Sequence, residues 1–350
     1  MSVTLHKTLV LRLSSIGDVI LATPFIRALK AAFPTASIDV AVKSEFSDLL
    51  AHNPHIDRLI TLDTSTGRAA LRALRDDLRV SGYDAVFDLH GNFRTRMLRR
   101  GVAAVTRVIR KRSMQRLLLV CFKLNLLRNA PSVSERYHHT GVDFGIRSDG
   151  GAPEVFVPED VERAVYGTLR DLGISDDAVV IGLAPGARHF TKRWPAEYWA
   201  ELAMLLSRKA GVRMLLLGGE ADRECATAIS RAASGAAVNV CGAFSLLESA
   251  AALGRCAAVC ANDSGLMHLA TARGVPVVAL FGSTVREFGF FPMGARSTVL
   301  EVERLACRPC THLGRDRCPE GHFRCLRDVL PERVARAVET AAGNSERRSR

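Results

Sequence analysis

The sequence lacks the features that mark secreted, membrane-spanning and disulfide-rich proteins. The apolar run near its start is broken by Arg12 and Asp18, and no small-residue cleavage site follows, so no secretory signal is predicted. The best candidate for a membrane span, residues 117–127, is shorter than the roughly 20 residues required and contains Lys123. An odd number of cysteines, nine, is typical of reduced thiols. We therefore expect a cytoplasmic protein.

Acidic residues are almost missing from one part of the chain, which we call the basic stretch. The net charge is +12, and residues 94–136 contain twelve Arg or Lys but a single acid, Glu135. Twelve minus one gives +11, so nearly all of the excess positive charge lies there. A local field of this sign favours an anionic partner, such as a phosphorylated lipid, a membrane surface or nucleic acid.

The pattern of apolar segments predicts an α/β protein with two domains. With 350 residues, 48% of them hydrophobic, the chain can bury two cores. Strand-like runs alternate with helical patterns, as in parallel α/β architecture. Asp, Gly and Pro cluster in residues 150–161, where a linker is predicted. We expect doubly wound domains over residues 1–160 and 161–330, then a C-terminal helix and polar tail over residues 331–350.

The individual elements follow the same alternation in each half. The predicted strands are residues 8–13, 38–42, 59–62, 85–89, 179–184, 213–217, 238–241, 258–261 and 276–281. The predicted helices are residues 18–32 (distorted at Pro24), 66–80, 196–210, 221–233, 246–256 and 264–273. Ligands bind such domains outside the carboxyl ends of the strands, so functional residues are expected in the loops that follow them.

A polar cluster directly follows the first predicted strand. Ser14, Ser15 and Ile16 precede Gly17 and Asp18. Gly17 permits a tight turn, and Asp18 then lies at the start of a helix. Asp is favoured there as an N-cap. A carboxylate at the carboxyl end of a first strand can also act as a general base toward an acceptor hydroxyl. The spacing alone leaves both interpretations open.

A second junction between a strand and a helix has the composition of a diphosphate site. It follows the predicted strand 179–184 and contains Gly186, Arg188, Lys192 and Arg193 before Pro195. Gly186 lets backbone N–H groups approach an anion, and the cations supply positive charge. A solvated basic loop is the alternative, which the convergence of cations, glycine and a helix start disfavours.

A third junction follows the predicted strand 258–261. The N–H groups of Ser264, Gly265 and Leu266 are expected to form a phosphate nest at a helix start. Asp263 is poorly suited to face a phosphate, so it should cap the helix or bind sugar hydroxyls. His268 lies about one turn further on. A serine nucleophile with His268 as its base is disfavoured, because Asn-Asp-Ser-Gly is not a Gly-x-Ser-x-Gly elbow.

Glu220 follows the predicted strand 213–217. An acid in this position of a nucleotide-binding fold commonly accepts hydrogen bonds from ribose hydroxyls. A helix-start acid favoured by the helix dipole is the equal alternative.

A cysteine-rich segment lies near the end of the chain. The spacings of two, seven and six residues between its cysteines do not match a paired zinc ribbon, so reduced thiols are favoured over a structural zinc. Its members are Cys307, Cys310, Cys318 and Cys325, with His312 and His322.

Taken in order, these motifs resemble glycosyltransferase family 9, the ADP-heptose:lipopolysaccharide heptosyltransferases. The resemblance covers roughly residues 9–330 and is carried by residues 11–19, 111–127, 185–187, 192–195, 263–270 and 318–322. It implies a GT-B fold, two Rossmann-like domains facing a central cleft, with inversion at the anomeric carbon and neither cofactor nor metal. The implied reaction transfers heptose from ADP-L-glycero-D-manno-heptose to the phosphorylated inner core of lipopolysaccharide. Residues 318–322, Cys-Pro-Glu-Gly-His, favour the transfer of the second heptose.

The resemblance also implies roles for single residues. Asp18 matches the catalytic base, Lys192 a lysine at the donor phosphates, and Glu220 an acid at the donor ribose. Phe244 lies where a residue packs on adenine. Further donor-binding candidates are Gly186, Arg188, Asp263, Ser264, Gly265 and His268, and the acceptor-binding candidates in the basic stretch are Arg94, Arg110, Lys111 and Arg112. A membrane-anchored anionic acceptor implies a peripheral contact with the inner membrane.

Three other functions are weighed against this one. The first is a family member that acts on another glycan or on a protein. The second is a nucleotide-sugar binding protein without catalysis, which the presence of Asp18 and Lys192 disfavours. A nucleic-acid-binding protein ranks last, because Phe122 is the only aromatic residue in the basic stretch before Tyr137.

Overall fold

The computed structural model describes residues 4–63, 67–234, 236–294 and 296–349. The chain forms two compact units. The N-terminal unit contains Met1–Arg112 and Pro131–Phe156, and the C-terminal unit contains Ser113–Ala130 and Val157–Arg350. The chain therefore enters the C-terminal unit for the last time after Phe156, within residues 150–161, where the linker was predicted. Among the helices of the described ranges, none combines the length and apolarity needed to cross a membrane.

The N-terminal unit is built on five parallel strands. They are β1 (Lys7–Leu11), β2 (Ser37–Lys43), β3 (Arg58–Leu62), β4 (Tyr83–Asp88) and β5 (Ala103–Val108), in the spatial order β3-β2-β1-β4-β5. The central strand β1 is almost entirely buried, as expected for a parallel sheet covered on both faces. The direction of winding reverses between β1 and β4, which makes this pair the topological switch point of the sheet.

The first six helices are α1 (Ile16–Ile20), α2 (Thr23–Ala32), α3 (Gly67–Val80), α4 (Phe93–Leu98), α5 (Ser113–Phe122) and α6 (Val133–His138), of which α5 belongs to the C-terminal unit.

The prediction of one continuous helix over residues 18–32 is wrong. Pro24 lies in the first turn of α2, where its missing N–H is tolerated. Thr23 Oγ1 donates to the carbonyl of Ile20 at 2.8 Å, at the junction of α1 and α2.

The C-terminal unit contains a parallel sheet of six strands. They are β6 (Val179–Ala184), β7 (Val212–Leu216), β8 (Ala237–Asn239), β9 (Ala258–Asn262), β10 (Val277–Phe281) and β11 (Ser297–Glu301), in the order β11-β10-β9-β6-β7-β8. If the six strands are renumbered 1 to 6 from β6 and the sheet is read from its β8 edge, the order is 3-2-1-4-5-6. This is the strand order of the Rossmann fold. All residues of β9 and β10 are buried. The switch point lies between β6 and β9.

The remaining helices cover the sheet of the C-terminal unit. They are α7 (Glu159–Asp171), α8 (Ala196–Ser207), α9 (Arg223–Ala232), α10 (Leu246–Gly254), α11 (Gly265–Ala272), α12 (Arg324–Arg327) and α13 (Pro331–Ser349). Helix α13 packs against α8 and against β9 and β10. Trp194 is buried beside Trp199 and donates from its indole nitrogen to the carbonyl of Val329 at 2.9 Å. This contact ties the entry of α13 to the core.

Candidate functional site

The loops after β1 and β4 are tied together at the switch point of the N-terminal sheet. Leu11 and Asp88 are paired at the ends of these two strands. Arg12 is the first residue after β1, and its side chain is buried. Its guanidinium donates to the carbonyl of Leu89 at 2.6 Å. Its guanidinium also lies 2.7 Å from the carboxylate of Asp18. Arg12 therefore joins the end of β4 to the predicted general base.

Asp18 lies in the first turn of α1, whose N-cap is Ser15, so the interpretation of Asp18 itself as the N-cap is wrong. One carboxylate oxygen accepts from the Ser15 hydroxyl at 3.1 Å, and the other from the Tyr137 hydroxyl at 3.3 Å. Burial raises the pKa of Tyr137, which keeps its hydroxyl a donor. The side chain of Asp18 is still 21% exposed. A fixed and reachable carboxylate can accept a proton from a hydroxyl.

His90 is a further group at this switch point, which the sequence interpretation missed. Its backbone N–H and that of Gly91 donate to the buried carboxylate of Asp88 at 3.0 and 2.7 Å. Burial, followed by the charges of Arg12 and Lys111, lowers the pKa of His90 to about 3. Its Nδ1 is buried and has no hydrogen-bond partner within the described ranges. His90 is therefore a neutral imidazole near Asp18, able to exchange a hydrogen bond with a ligand.

The four acceptor-binding candidates differ in how closely they approach His90. The side chain of Lys111 packs on Gly91, where an added Cβ would lie 3.4 Å from Lys111 Cε. Arg94, on α4, adds to the positive field that lowers the pKa of His90. Arg110 and Arg112 are in the loop after β5, and within the described ranges no contact joins either of them to His90. The structure thus brings Lys111 and Arg94, but not Arg110 and Arg112, to His90.

Several cations of the basic stretch are already engaged within the protein. Arg99 lies 2.5 Å from the buried carboxylate of Asp88, and Arg107 lies 3.2 Å from Asp143. Such pairing reduces the charge available to an anionic partner. Within the basic stretch, the cations that act on His90 are Lys111 and, more weakly, Arg94.

We expect His90 to reduce stability in acid. Its pKa of about 3 in the folded protein is below the ordinary value of 6.5, so the unfolded chain is protonated first. The free energy of unfolding should therefore fall as the pH drops from about 6.5 toward about 3. His90→Gln, uncharged throughout, should lose less stability over this window in denaturant titrations. The exposed His52 provides a control, since His52→Gln should follow the wild type. Equal acid sensitivity of His90→Gln and wild type would contradict the assignment.

In the C-terminal unit, the loops after β6 and β9 meet in the same way. Asn262, fully buried at the end of β9, donates to the carbonyl of Pro185 at 2.7 Å and accepts from the N–H of Trp194 at 3.1 Å. These bonds hold both ends of the loop that contains Lys192. Lys192 Nζ then lies 2.7 Å from the carboxylate of Asp263. Two donor-binding candidates are thus brought together, although they are 71 positions apart in the sequence.

Thr284, which the sequence interpretation missed, fixes the same carboxylate. Its hydroxyl donates to Asp263 at 2.6 Å. Arg308 in turn donates to the carbonyl of Thr284 at 2.7 Å and pairs with Glu301 at 2.6 Å. Asp263 is therefore held by Lys192 and by Thr284 from the loop after β10. It does not cap α11, because the N-cap is Ser264, and that alternative for Asp263 is wrong.

Removing the Thr284 hydroxyl should weaken the fold. Thr284 is 4% exposed, so Thr284→Val would leave the Asp263 carboxylate without one of its donors. We expect the free energy of unfolding to fall by about 1.5–3 kcal/mol, the range for a hydrogen bond to a charged group. Thr284→Ser keeps the hydroxyl and should lose less. Chemical denaturation of both variants checks this, and a Val variant as stable as the wild type would contradict it.

The start of α11 contains the other members of the third junction. Ser264 is the N-cap, and Gly265 begins the helix. The Ser264 hydroxyl oxygen is buried and has no hydrogen-bond partner in the described part of the chain. His268 is buried on the same helix and meets the ring of Phe290 edge-on, with 6.5 Å between centroids. The free N–H groups of a helix start thus lie directly beside the Lys192–Asp263 pair.

Gly186 is required for a reason that the sequence interpretation did not include. A Cβ at Gly186 would overlap the carboxyl group of Asp222. Asp222 accepts from the N–H of Gly219 at 3.1 Å. Arg188 is exposed, whereas Arg193 turns back and donates to the carbonyl of Ala187 at 2.6 Å. Of these two arginines, Arg188 is therefore the one whose charge remains available to an anion.

Glu220 and Phe244 lie on the neighbouring loops after β7 and β8. Glu220 is 73% exposed and pairs with Arg223 at 2.7 Å. Arg223 also donates to the carbonyl of Gly242 at 3.2 Å. A Cβ at Gly242, whose φ is +71°, would overlap the Glu220 carboxylate. Phe244 is half-buried two residues further on. An acid and an aromatic residue thus follow the carboxyl ends of the neighbouring strands β7 and β8. A nucleoside site requires such a pair, the acid for the ribose and the ring for the base.

The cysteine-rich segment contains free thiols. Burial raises the pKa of Cys310, and raises that of Cys325 to about 12. Cys307 Sγ lies 3.9 Å from His322 Nε2. In the described ranges, no three His, Cys, Asp or Glu side chains form a group suited to a metal ion.

The chain matches known glycosyltransferases. The model of glycosyltransferase family 9 (heptosyltransferase) matches residues 71–318, more than half of the chain. Lipopolysaccharide heptosyltransferase 2 of Escherichia coli (strain K12) is 27% identical over 340 residues, which cover 94% of this chain and 96% of that protein. The Lys192–Asp263 group and the predicted base Asp18 therefore belong to a chain that resembles this enzyme over nearly its whole length.

Solved structures agree with this result. A glycosyl transferase family 9 protein from Veillonella parvula DSM 2008 is 27% identical, with a TM-score of 0.84 and coverage of 98% of this chain and 99% of that chain. E. coli ADP-heptose lps heptosyltransferase II is 25% identical, with a TM-score of 0.74 and coverage of 97% and 99%. The predicted GT-B fold with two Rossmann-like domains is confirmed. The chain is a glycosyltransferase and belongs to glycosyltransferase family 9.

Proposed function

We propose that this enzyme transfers heptose from ADP-L-glycero-D-manno-heptose to the inner core of lipopolysaccharide, with inversion and without a metal ion. The observation that carries the proposal is the position of Asp18 and Lys192. Each is a reactive or charged group at the switch point of its own doubly wound sheet, where such folds bind ligands. The relatives named as heptosyltransferases indicate the sugar and the acceptor.

The C-terminal unit supplies the donor site. The diphosphate binds to Lys192 and to the N–H groups at the start of α11, Ser264 and Gly265, where the helix dipole favours an anion. Arg188 adds positive charge, and His268 lies one turn behind. Glu220 accepts hydrogen bonds from the ribose hydroxyls. Gly186 and Asp263 shape the loop between these groups.

Phe244 packs on the adenine in this proposal. Its position two residues after Gly242, next to the loop of Glu220, supports an assignment of base and ribose to the same side of the sheet. Aromatic stacking and an acid at the ribose together select a nucleoside, while Lys192 selects the diphosphate.

The chemical step is a single displacement. Asp18 removes the proton of the acceptor hydroxyl, and this oxygen attacks the anomeric carbon of heptose. The bond between that carbon and the ADP oxygen breaks, and the electron pair leaves with ADP. Lys192 and the start of α11 stabilise the negative charge that develops on ADP. One displacement inverts the anomeric centre. Because side-chain and backbone donors supply the positive charge, a divalent ion is not needed.

The acceptor is anionic and lies at the membrane. Arg94 and Lys111, near His90, are proposed to bind its phosphorylated groups, with Arg110 and Arg112 further along the chain. A cytoplasmic enzyme in peripheral contact with the inner membrane fits such an acceptor. The relatives named heptosyltransferase 2 and the Cys318 to His322 segment support transfer of the second heptose.

The test is ADP release from ADP-heptose with core acceptors that have no heptose, one heptose or two. We expect release that depends on the acceptor with one heptose and persists in the presence of EDTA. Tight donor binding without release on any core acceptor would contradict the proposal and indicate another acceptor or a binding function. Loss of activity in EDTA would contradict only the metal independence.

A further inference from the structure

Helix α5 is apolar on two opposite sides. Leu119 is buried, whereas Met114 and Leu117 are 66% and 52% exposed and Cys121 is also exposed. At 3.6 residues per turn, these three residues point within about 40° of the direction opposite to Leu119. A helix on a water-exposed surface normally has a polar outer side, so the outer side of α5 lacks its usual composition.

The apolar surface continues beyond the helix. Phe122, Leu124 and Leu126 are 74%, 51% and 56% exposed. Together with Met114 and Leu117, they place five large exposed apolar side chains within thirteen residues, and we call these five the apolar docking surface. Single exposed apolar residues are common on proteins, but five within so short a segment are not, and a patch of such side chains marks a surface that binds something.

The segment that presents this surface is firmly attached to the C-terminal unit. Leu119 and Leu127 pack in one cluster with Phe288. Asn125 donates to Glu287 at 2.7 Å. Lys123 Nζ donates to the carbonyls of Cys307 and Pro309 at 3.1 and 2.6 Å. The exposed side chains are therefore displayed by a fixed scaffold, and the apolar face is not the result of an unpacked loop.

The charged side chains of the segment itself are all positive, and the acid that contacts it, Glu287, is bonded to Asn125. The sequence contains no Asp or Glu between Asp88 and Glu135. Arg116 and Arg128 lie within the segment, and three further cations precede the helix in sequence, at positions 110–112. Apolar side chains among cations match a bilayer with anionic headgroups, where apolar groups insert and cations meet phosphates. A second copy of the same surface would bring like charges together.

We propose that the apolar docking surface inserts into the headgroup region of an anionic lipid bilayer and holds the enzyme there. This proposal extends the proposed function, since it rests on an acceptor anchored in a membrane. It assigns the membrane contact to Met114, Leu117, Phe122, Leu124 and Leu126, with the exposed Arg128 at the phosphates. Cations placed beside inserted apolar groups make the binding depend on both anionic lipid and salt.

The experiment is flotation of the full chain with vesicles made of equal parts of phosphatidylethanolamine and phosphatidylglycerol, or of phosphatidylcholine alone. We expect the wild type to bind the anionic vesicles. The triple variant Met114→Ser, Leu117→Ser, Phe122→Ser should bind them at least about tenfold less. The control triple variant Val80→Ser, Leu172→Ser, Leu330→Ser removes three exposed apolar side chains elsewhere and should bind like the wild type. Equal thermal midpoints of the two variants establish that both are folded.

Three outcomes would overturn the proposal. The first is that the wild type does not bind anionic vesicles. The second is that the triple variant binds them as well as the wild type does. The third is that the wild type is a dimer and the triple variant a monomer, with vesicle binding unchanged. Heptose transfer to a delipidated core oligosaccharide is measured in parallel. Unchanged transfer in the triple variant, with lost vesicle binding, separates the docking surface from the catalytic proposal. A wild type that binds vesicles without transferring heptose would contradict the proposed function alone.

Discussion

Replacing Asp18 by Asn should lower the rate of heptose transfer by about 10²- to 10⁴-fold, the contribution typical of a general base. The amide has nearly the shape of the carboxylate, and it keeps an oxygen that can accept from Arg12 or Tyr137. It cannot take the proton of the acceptor hydroxyl. Because the proposed donor site lies in the other unit, the affinity for ADP-heptose should change little. Acceptor-dependent ADP release and calorimetric donor binding measure these two quantities separately.

A matched control distinguishes the loss of a base from the loss of an ion pair. Asp57 in the same unit pairs with Lys30 at 2.9 Å, so Asp57→Asn removes a similar contact far from the switch point and should retain the activity. Tyr137→Phe removes only the hydroxyl 3.3 Å from Asp18 and should cost far less than Asp18→Asn. If Asp18→Asn kept more than about a tenth of the wild-type rate, Asp18 would not be the general base.

The sequence predicts the central strands well because burial on both faces produces a continuous apolar run. Strand β6 spans Val179–Ala184, as predicted, and β9 differs from its prediction by one residue. The edge strands β5 and β11 were not predicted. Most of their side chains are only half-buried, so their composition includes Thr, Arg, Ser and Glu and carries no apolar signal. The edge strands β3 and β8 were predicted to within two residues of their bounds, so an edge strand is missed where, as in β5 and β11, polar side chains interrupt the apolar run.

The same limit applies to the candidate site. Asp18, Lys192 and Ser264 could be predicted because each follows a recognisable strand and begins or precedes a helix. His90, Asn262 and Thr284 could not, because their importance comes from the pairing of strands far apart in the chain. Asn262, for example, binds Pro185 across 77 positions, which only the order of β6 and β9 makes possible.

Replacing Lys192 by Met should have two separable effects, a loss of activity and a loss of stability. The variant removes the cation proposed to bind the donor diphosphate. We expect a loss of about 10²-fold or more in heptose transfer, because a charge on the leaving group is no longer stabilised. The variant also leaves the Asp263 carboxylate, 7% exposed, without its counter-ion. Breaking a buried pair from one side lowers the free energy of unfolding by about 3–5 kcal/mol, and we expect the lower end of this range because Lys192 is still partly exposed.

The double variant Lys192→Met, Asp263→Asn separates these effects. A neutral Asn can still accept from Thr284 and needs no counter-ion, so the free energy of unfolding should recover toward the wild-type value. The affinity for ADP-heptose should stay low, because no cation has been restored at the diphosphate. Denaturant unfolding and calorimetric ADP-heptose binding of the single and double variants decide the matter. If donor affinity recovered together with stability, Lys192 would serve to hold Asp263 in place, and the diphosphate would have to bind to Arg188 and the start of α11 instead.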